Sequence, residues 1–208
     1  MKFRIHTSST APQASRPILE EVERKYGFVP NYFAVLSESP VALRAYTGVS
    51  DALQDSVLSP IERQVVALTI SVTTDCAYCV ADHSTLAEMA GMPDHILKEL
   101  RQQKPLSDKR LNALRGLVLS ILYHRGWVPK EDLEHYARVG YRERHILEII
   151  TLLALKIMSN YVNHVAKTPL DAQFSGQVWS PKSNSTLLKT DSSSWQPGMR
   201  GDERHEKK

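Results

Sequence analysis

Apolar residues in this chain recur at three- and four-residue steps, and no stretch gives a convincing period-two alternation. That excludes a sheet and predicts an all-α fold. Glu143 to about Val165 is the strongest run. Ile146, Ile149, Ile150, Leu153, Leu155, Ile157 and Met158 make it apolar most of the way round, which predicts a central helix. The remaining runs are punctuated by capping and stop signals. Leu58-Ser59-Pro60-Ile61-Glu62 opens one helix, with Ser59 as cap, Pro60 in the first turn and Glu62 three residues after the serine.

The same reading places helices from Pro17 to Tyr26, stopped by Gly27; a short one through Leu36; one from Ser39-Pro40 to Leu53; and one from Cys76 to Met89 with Asp75 as its cap. Further helices run from Pro93 through Leu100, from a capping Ser107 through Leu122, and from Pro129 to Val139. The expectation is a single-domain bundle of about eight to ten helices. Residues 17–179 form the helical domain. Residues 1–16 are a flexible N-terminal segment, and 180–208 are a polar tail, mobile or draped on a partner. A weak internal echo relates Glu62-Arg63, heading a helix that ends at Asp75-Cys76, to Glu143-Arg144, heading one that ends at Asn160-Tyr161.

Composition narrows the function classes. With 208 residues, 42% hydrophobic and 24% charged, the chain has the make-up of a soluble globular domain. Its formal charge of +3 is small, and the segment from Pro181 onward supplies part of it, so the body has no general electrostatic reason to bind nucleic acid or an anionic membrane. No apolar run approaches the roughly 18 residues of a membrane span. Met1-Lys2-Phe3-Arg4-Ile5-His6 leads into Ser, Thr and Pro rather than the apolar core of a signal peptide. Two cysteines do not make a secreted disulfide framework, so the expected location is cytoplasmic.

Both cysteines lie in Asp75-Cys76-Ala77-Tyr78-Cys79-Val80-Ala81-Asp82-His83. On a helix, Cys79 lies a turn beyond Cys76, and His83 a turn beyond Cys79, giving one face a dithiol and an imidazole. A helix starting at Cys76 puts both sulfurs near its positive end, which favours the thiolate. His83 is placed to move a thiol proton. Peroxide attack on one cysteine gives a sulfenic acid, and the second condenses with it to a disulfide. Two other readings fit the spacing: a buried, inert pair of small core residues, or three zinc ligands, Cys76, Cys79 and His83, completed by a distant histidine. Val80 stands where a c-type haem would need histidine, so that reading fails. Neither a resident cofactor nor a metal is expected.

Leu58-Ser59-Pro60, the apolar helix after it, and Asp75 to Ser84 resemble the core of alkyl hydroperoxidase D-like proteins of the carboxymuconolactone decarboxylase superfamily. The resemblance covers about Leu58 to Met92, with a compatible helical layout from Phe28 to about Asp171. It implies an all-helical fold assembling as trimers or hexamers. It also implies reduction of an organic or hydrogen peroxide by the dithiol, which a separate dithiol reductant then regenerates. Cys79 would be the attacking sulfur, Cys76 the resolving one and His83 the proton relay. The family's catalytic glutamate falls at Gln64, which hydrogen-bonds but accepts no proton; Glu62, two residues earlier, is the substitute considered. Tyr78, Tyr161 and His164 are further residues considered for the pocket. The alternatives are a non-catalytic redox-sensing or interaction oligomer of the same fold, and a lactone decarboxylase.

Overall fold

A computed structural model describes residues 2–181. Its α-helices are α1 (Arg16–Tyr26), α2 (Asn31–Leu36), α3 (Pro40–Ala52), α4 (Pro60–Thr73), α5 (Ala77–Met89), α6 (Asp94–Arg101), α7 (Lys109–Tyr123), α8 (Lys130–Arg138) and α9 (Glu143–Ala166). Short 3-10 turns follow at Gln13–Ser15, Leu53–Asp55 and Ala172–Gln177, and the described residues contain no strand. The fold is all-α.

Local chemistry sets most of the boundaries. The Ser39 and Ser59 hydroxyls each accept a bond from the amide three residues on, Ala42 N at 3.2 Å and Glu62 N at 3.2 Å, and proline follows each serine. Such caps contribute about 1 kcal/mol apiece. Gly27 closes α1 at φ 78, a left-handed conformation that favours glycine. The helix expected to start at Ser107 is capped instead by Asp108, whose Oδ1 accepts from Leu111 N at 2.8 Å.

The central element is α4, which packs against α5, α6, α7 and α9. Val65, Val66, Leu68, Ile70 and Val72 are all buried, so its apolar surface is covered on every side. α9 is less enclosed than its composition suggested. It is long and apolar enough to cross a membrane by length and composition, which qualifies the expectation that no such run exists. One face, bearing Ile149, Leu152, Leu155, Lys156, Ser159, Asn160 and Asn163, is buried, while Leu147, Ile150, Tyr161 and Val165 point outward.

A second apolar cluster gathers Leu19, Val22, Tyr32, Phe33, Leu43, Phe174 and both cysteines. The N-terminal segment expected to be flexible is irregular but docked on it. Ala11 and Ser15 are buried, Ser15 Oγ donates to Ser37 O at 2.7 Å, and buried His6 lies 2.6 Å from Glu38 Oε2. Small and polar residues pack here by hydrogen bonding, which leaves no periodic trace in the sequence. The expectation for the tail, from residue 182 onward, lies outside the described residues.

Candidate active site

The α4–α5 junction places the dithiol. After Thr74, Asp75 turns left-handed (φ 56), and Cys76 N donates back to Ser71 O at 2.9 Å, closing α4 in a Schellman-type turn. Asp75 is therefore the turn residue rather than the cap, a conformation aspartate tolerates. Cys76 itself is the N-cap of α5, in extended conformation with no side-chain capping bond. Cys79 occupies the third position of α5, within the first turn and near the positive end of the helix dipole.

Both sulfurs are buried, each residue about 1% exposed. Cys79 faces α9: its Sγ accepts from Asn163 Nδ2 at 3.3 Å and lies 3.8 Å from Ser159 Oγ. Burial pushes the Cys79 thiol up. The hydrogen bond from Cys76, the charge of Lys156, and the Asn163 and Ser159 contacts outweigh burial, and hold Cys79 well below an ordinary thiol. Cys76 moves the opposite way, kept protonated first by its bond to Cys79 and then by burial. One sulfur is thus the anion and its neighbour the proton donor to it.

His83 is the next link. Its Nδ1 donates to Gln64 Oε1 at 2.8 Å, and its Nε2 accepts from Lys156 Nζ at 2.6 Å. Burial, followed by the Lys156 charge, holds the imidazole well below its ordinary value, so it is neutral with its proton on Nδ1. That tautomer satisfies all three side chains. Asp82 sits beside it, 3.8 Å from His83 Nε2. Its carboxyl is raised to about 7, by burial first and by the nearby Cys79, against the pull of Lys156.

Gln64, Asp82, His83 and Lys156 line a cavity of about 140 Å³ whose other walls include Tyr26, Tyr32, Phe33, Tyr46, Tyr78 and Phe174. The cysteines lie behind this wall rather than in it. Tyr78 is committed: its hydroxyl donates to Asp171 Oδ2 at 2.6 Å and accepts from Tyr32 N at 3.2 Å. Tyr161 and His164 are exposed on α9, away from the cavity.

Glu62 is elsewhere, and its proposed relay role is corrected. Its Oε2 accepts from Ser59 N at 2.9 Å in a capping box, while Oε1 accepts from Tyr141 Oη at 2.9 Å and Arg110 Nη2 at 3.0 Å. Burial raises this carboxyl, but its donors outweigh burial and lower it. About 200° of helix rotation separates it from the face bearing Gln64. No group of three or more His, Cys, Asp or Glu side chains among the described residues is placed to hold a metal, so the zinc arrangement is not formed.

Residues 40–104 match the carboxymuconolactone decarboxylase family model, and this segment contains the dithiol, Gln64 and His83. Over these residues the chain is similar to the carboxymuconolactone decarboxylase family. Its fold is that of alkyl hydroperoxidase D-like proteins. A peroxidase-related protein from Ralstonia eutropha JMP134 with an alkylhydroperoxidase AhpD core superposes with a TM-score of 0.75 at 22% identity, over 87% of this chain and 97% of that one. A peroxidase-related protein from Silicibacter sp. TM1040 gives 0.73 at 21%, over 85% and 94%. The debrominase Bmp8, solved in complex with 2,3,4-tribromopyrrole, gives 0.69 at 19%, over 85% and 96%. No curated protein matches the chain.

The segment that matches the family model ends well before α9, yet α9 supplies Lys156, Ser159 and Asn163 to the surroundings of Cys79. None of the three is among the site residues expected from the sequence. A signal was present: Lys156, Ser159, Asn160 and Asn163 fall at three- and four-residue steps, a polar line along an otherwise apolar helix.

Proposed function

We propose that this protein is a thiol-dependent peroxidase acting through Cys79 and Cys76. One observation carries the reading: Cys79 is stabilised as an anion by Asn163, Ser159 and Lys156, while the neighbouring Cys76 stays protonated. A thiolate with a bonded thiol partner is the minimum for a two-electron peroxide cycle.

The Cys79 thiolate attacks the terminal oxygen of ROOH. The O–O bond breaks, Cys79 becomes the sulfenic acid, and the RO⁻ oxygen takes a proton from the Lys156 ammonium on the cavity wall. Cys76 then attacks the sulfenic sulfur, forming the disulfide and releasing water. An external dithiol reduces that bond, and the proton regained by Cys79 passes to the Lys156 amine. Gln64 accepts no proton in this cycle. It holds the His83 ring, whose Nε2 bond orients Lys156. The reading includes a reducing, cytoplasmic setting and a homo-oligomer.

A second reading is removal of halogen from a small aromatic ring, favoured by the aromatic cavity wall and by the fold shared with the debrominase. Steady-state consumption of cumene hydroperoxide with a panel of dithiols, beside 2,3,4-tribromopyrrole, separates the two. The expected result is peroxide turnover, abolished in Cys79→Ser and halted after one turnover in Cys76→Ser. Retention of both free thiols after excess peroxide would sink the proposal. It would leave the redox-inactive oligomer, or, if activity survives the double Cys→Ser variant, a decarboxylase.

A further inference from the structure

Tyr78 lies between the two cysteines, in the turn that opens α5, and it also holds down the segment that follows α9. Its hydroxyl donates to Asp171 Oδ2 at 2.6 Å, and its ring packs edge-on against Phe174, with centroids 6.1 Å apart. Residues 171–179 form a strap without an α-helix. Its 3-10 turn, Ala172–Gln177, lies against α5 and inserts buried Phe174 into the apolar cluster that holds Cys76 and Cys79.

The two ends of the strap are fastened differently. At the far end Arg101 of α6 donates through Nη1 to Ser84 Oγ at 2.7 Å and through Nη2 to Val178 O at 2.8 Å, while Trp179 Nε1 donates to Arg101 O at 3.0 Å. That clasp shares no residue with the first turn of α5. At the near end Asp171 is buried, and its carboxylate accepts from Tyr78 Oη and from Asn31 N at 3.0 Å. A buried carboxylate stays in place through its donors, and losing one favours its return to water.

Closing the dithiol acts on that anchor. The thiols share a hydrogen bond, and Cys79 also faces α9 through Asn163 Nδ2 at 3.3 Å. Bonded sulfurs approach more closely than hydrogen-bonded ones, and the bonded Cys79 carries no charge for Asn163 and Lys156 to stabilise. Cys76 and Cys79 flank Tyr78 in one turn, so that turn tightens and Tyr78 moves with it. A short phenol–carboxylate bond in a close-packed interior tolerates little displacement.

We propose that closing the Cys76–Cys79 disulfide frees the Asp171 end of the strap, so that residues 171–177 swing away from α5 while the Arg101 clasp holds their far end. The gain is access. With both cysteines about 1% exposed, a reductant thiolate has no line of attack on either sulfur while the strap is docked, and the oxidised protein uncovers its own disulfide. Reduction restores the anchor and closes the strap. The device goes beyond the peroxidase reading, since it needs a dithiol that closes and no particular oxidant.

The test uses the full chain and diamide, a diazene that takes two electrons and two protons from the cysteine pair and becomes a hydrazine. Free-thiol counts confirm closure. Chymotrypsin then reads the strap, since a cut after buried Phe174 requires that segment to leave the surface. The disulfide form should be cut there at least about tenfold faster than the dithiol form, while the cut after exposed Trp127 is unchanged. Tyr78→Phe, which keeps the ring and loses the anchor, should be cut quickly in both forms, and the double Cys→Ser variant should not respond to diamide. Equal cutting after Phe174 in the two wild-type forms would overturn the proposal, as would a matching acceleration after Trp127, which reports general loosening. A redox response that persists in full in Tyr78→Phe would overturn Tyr78 as the link. Failure of the peroxidase reading shows in peroxide turnover instead, and leaves each of these results distinct.

Discussion

Lys156 Nζ donates to His83 Nε2 at 2.6 Å, which places a buried cation against a neutral imidazole at the edge of the dithiol. The side chain that holds His83 from the other side is an amide, Gln64, rather than an acid. Positive charge in this site therefore comes from lysine, and the imidazole serves as its acceptor.

Lys156→Met should raise the Cys79 pKa, because it deletes a cation that favours the thiolate. A thiolate absorbance titration near 240 nm is the measurement, and the alkylation rate at pH 6 should drop at least about tenfold. Lys156→Arg, which keeps the charge, should recover most of it. An unchanged titration in Lys156→Met would remove lysine from the mechanism.

Gln64→Glu should shift the His83 titration upward by about 1–3 pH units, since a carboxylate beside Nδ1 favours imidazolium. Histidine ring resonances followed by NMR across pH 4–9 read this directly. A protonated Nε2 would no longer accept from Lys156, so peroxide turnover should fall.

Asp82 gives a pH signature of folding. Its carboxyl is raised to about 7 by burial, above its unfolded value near 4, so the folded state keeps a proton that the unfolded chain has lost. Stability from this group is therefore complete at acid pH and is lost as pH rises through about 7. Urea midpoints for the wild type should decrease between pH 5 and 8, and Asp82→Asn should flatten that decrease.

Glu62→Ala should cost about 2 kcal/mol of stability in urea unfolding, because it removes the capping box and leaves buried Tyr141 Oη without its acceptor. The folded fraction should keep wild-type kinetic constants. A loss of kcat without loss of stability would return Glu62 to the catalytic relay.

Most helices were legible because proline, serine and glycine punctuate them locally: Ser59-Pro60 opens α4 where expected, and Gly27 closes α1. The dithiol and His83 were legible for the same reason, since eight consecutive residues hold all three. What escaped depends on contacts across long stretches of chain. Lys156 is 73 residues from His83, and no local rule brings them together. Glu62 looked catalytic only through its nearness to Gln64 in sequence; its partners Arg110 and Tyr141 lie 48 and 79 residues away. The cap of α5 falls on Cys76 instead of Asp75 because closure of α4 needs one residue with positive φ, and capping rules read from α5 alone do not register that demand.

The groups that activate Cys79 from outside its own helix, Lys156, Ser159 and Asn163, all stand on α9, the last α-helix among the described residues. The ammonium and the carboxamide beside the sulfur are thus both supplied by the packing of α9 against α5. Formation of the Cys79 anion is therefore tied to completion of the bundle by α9.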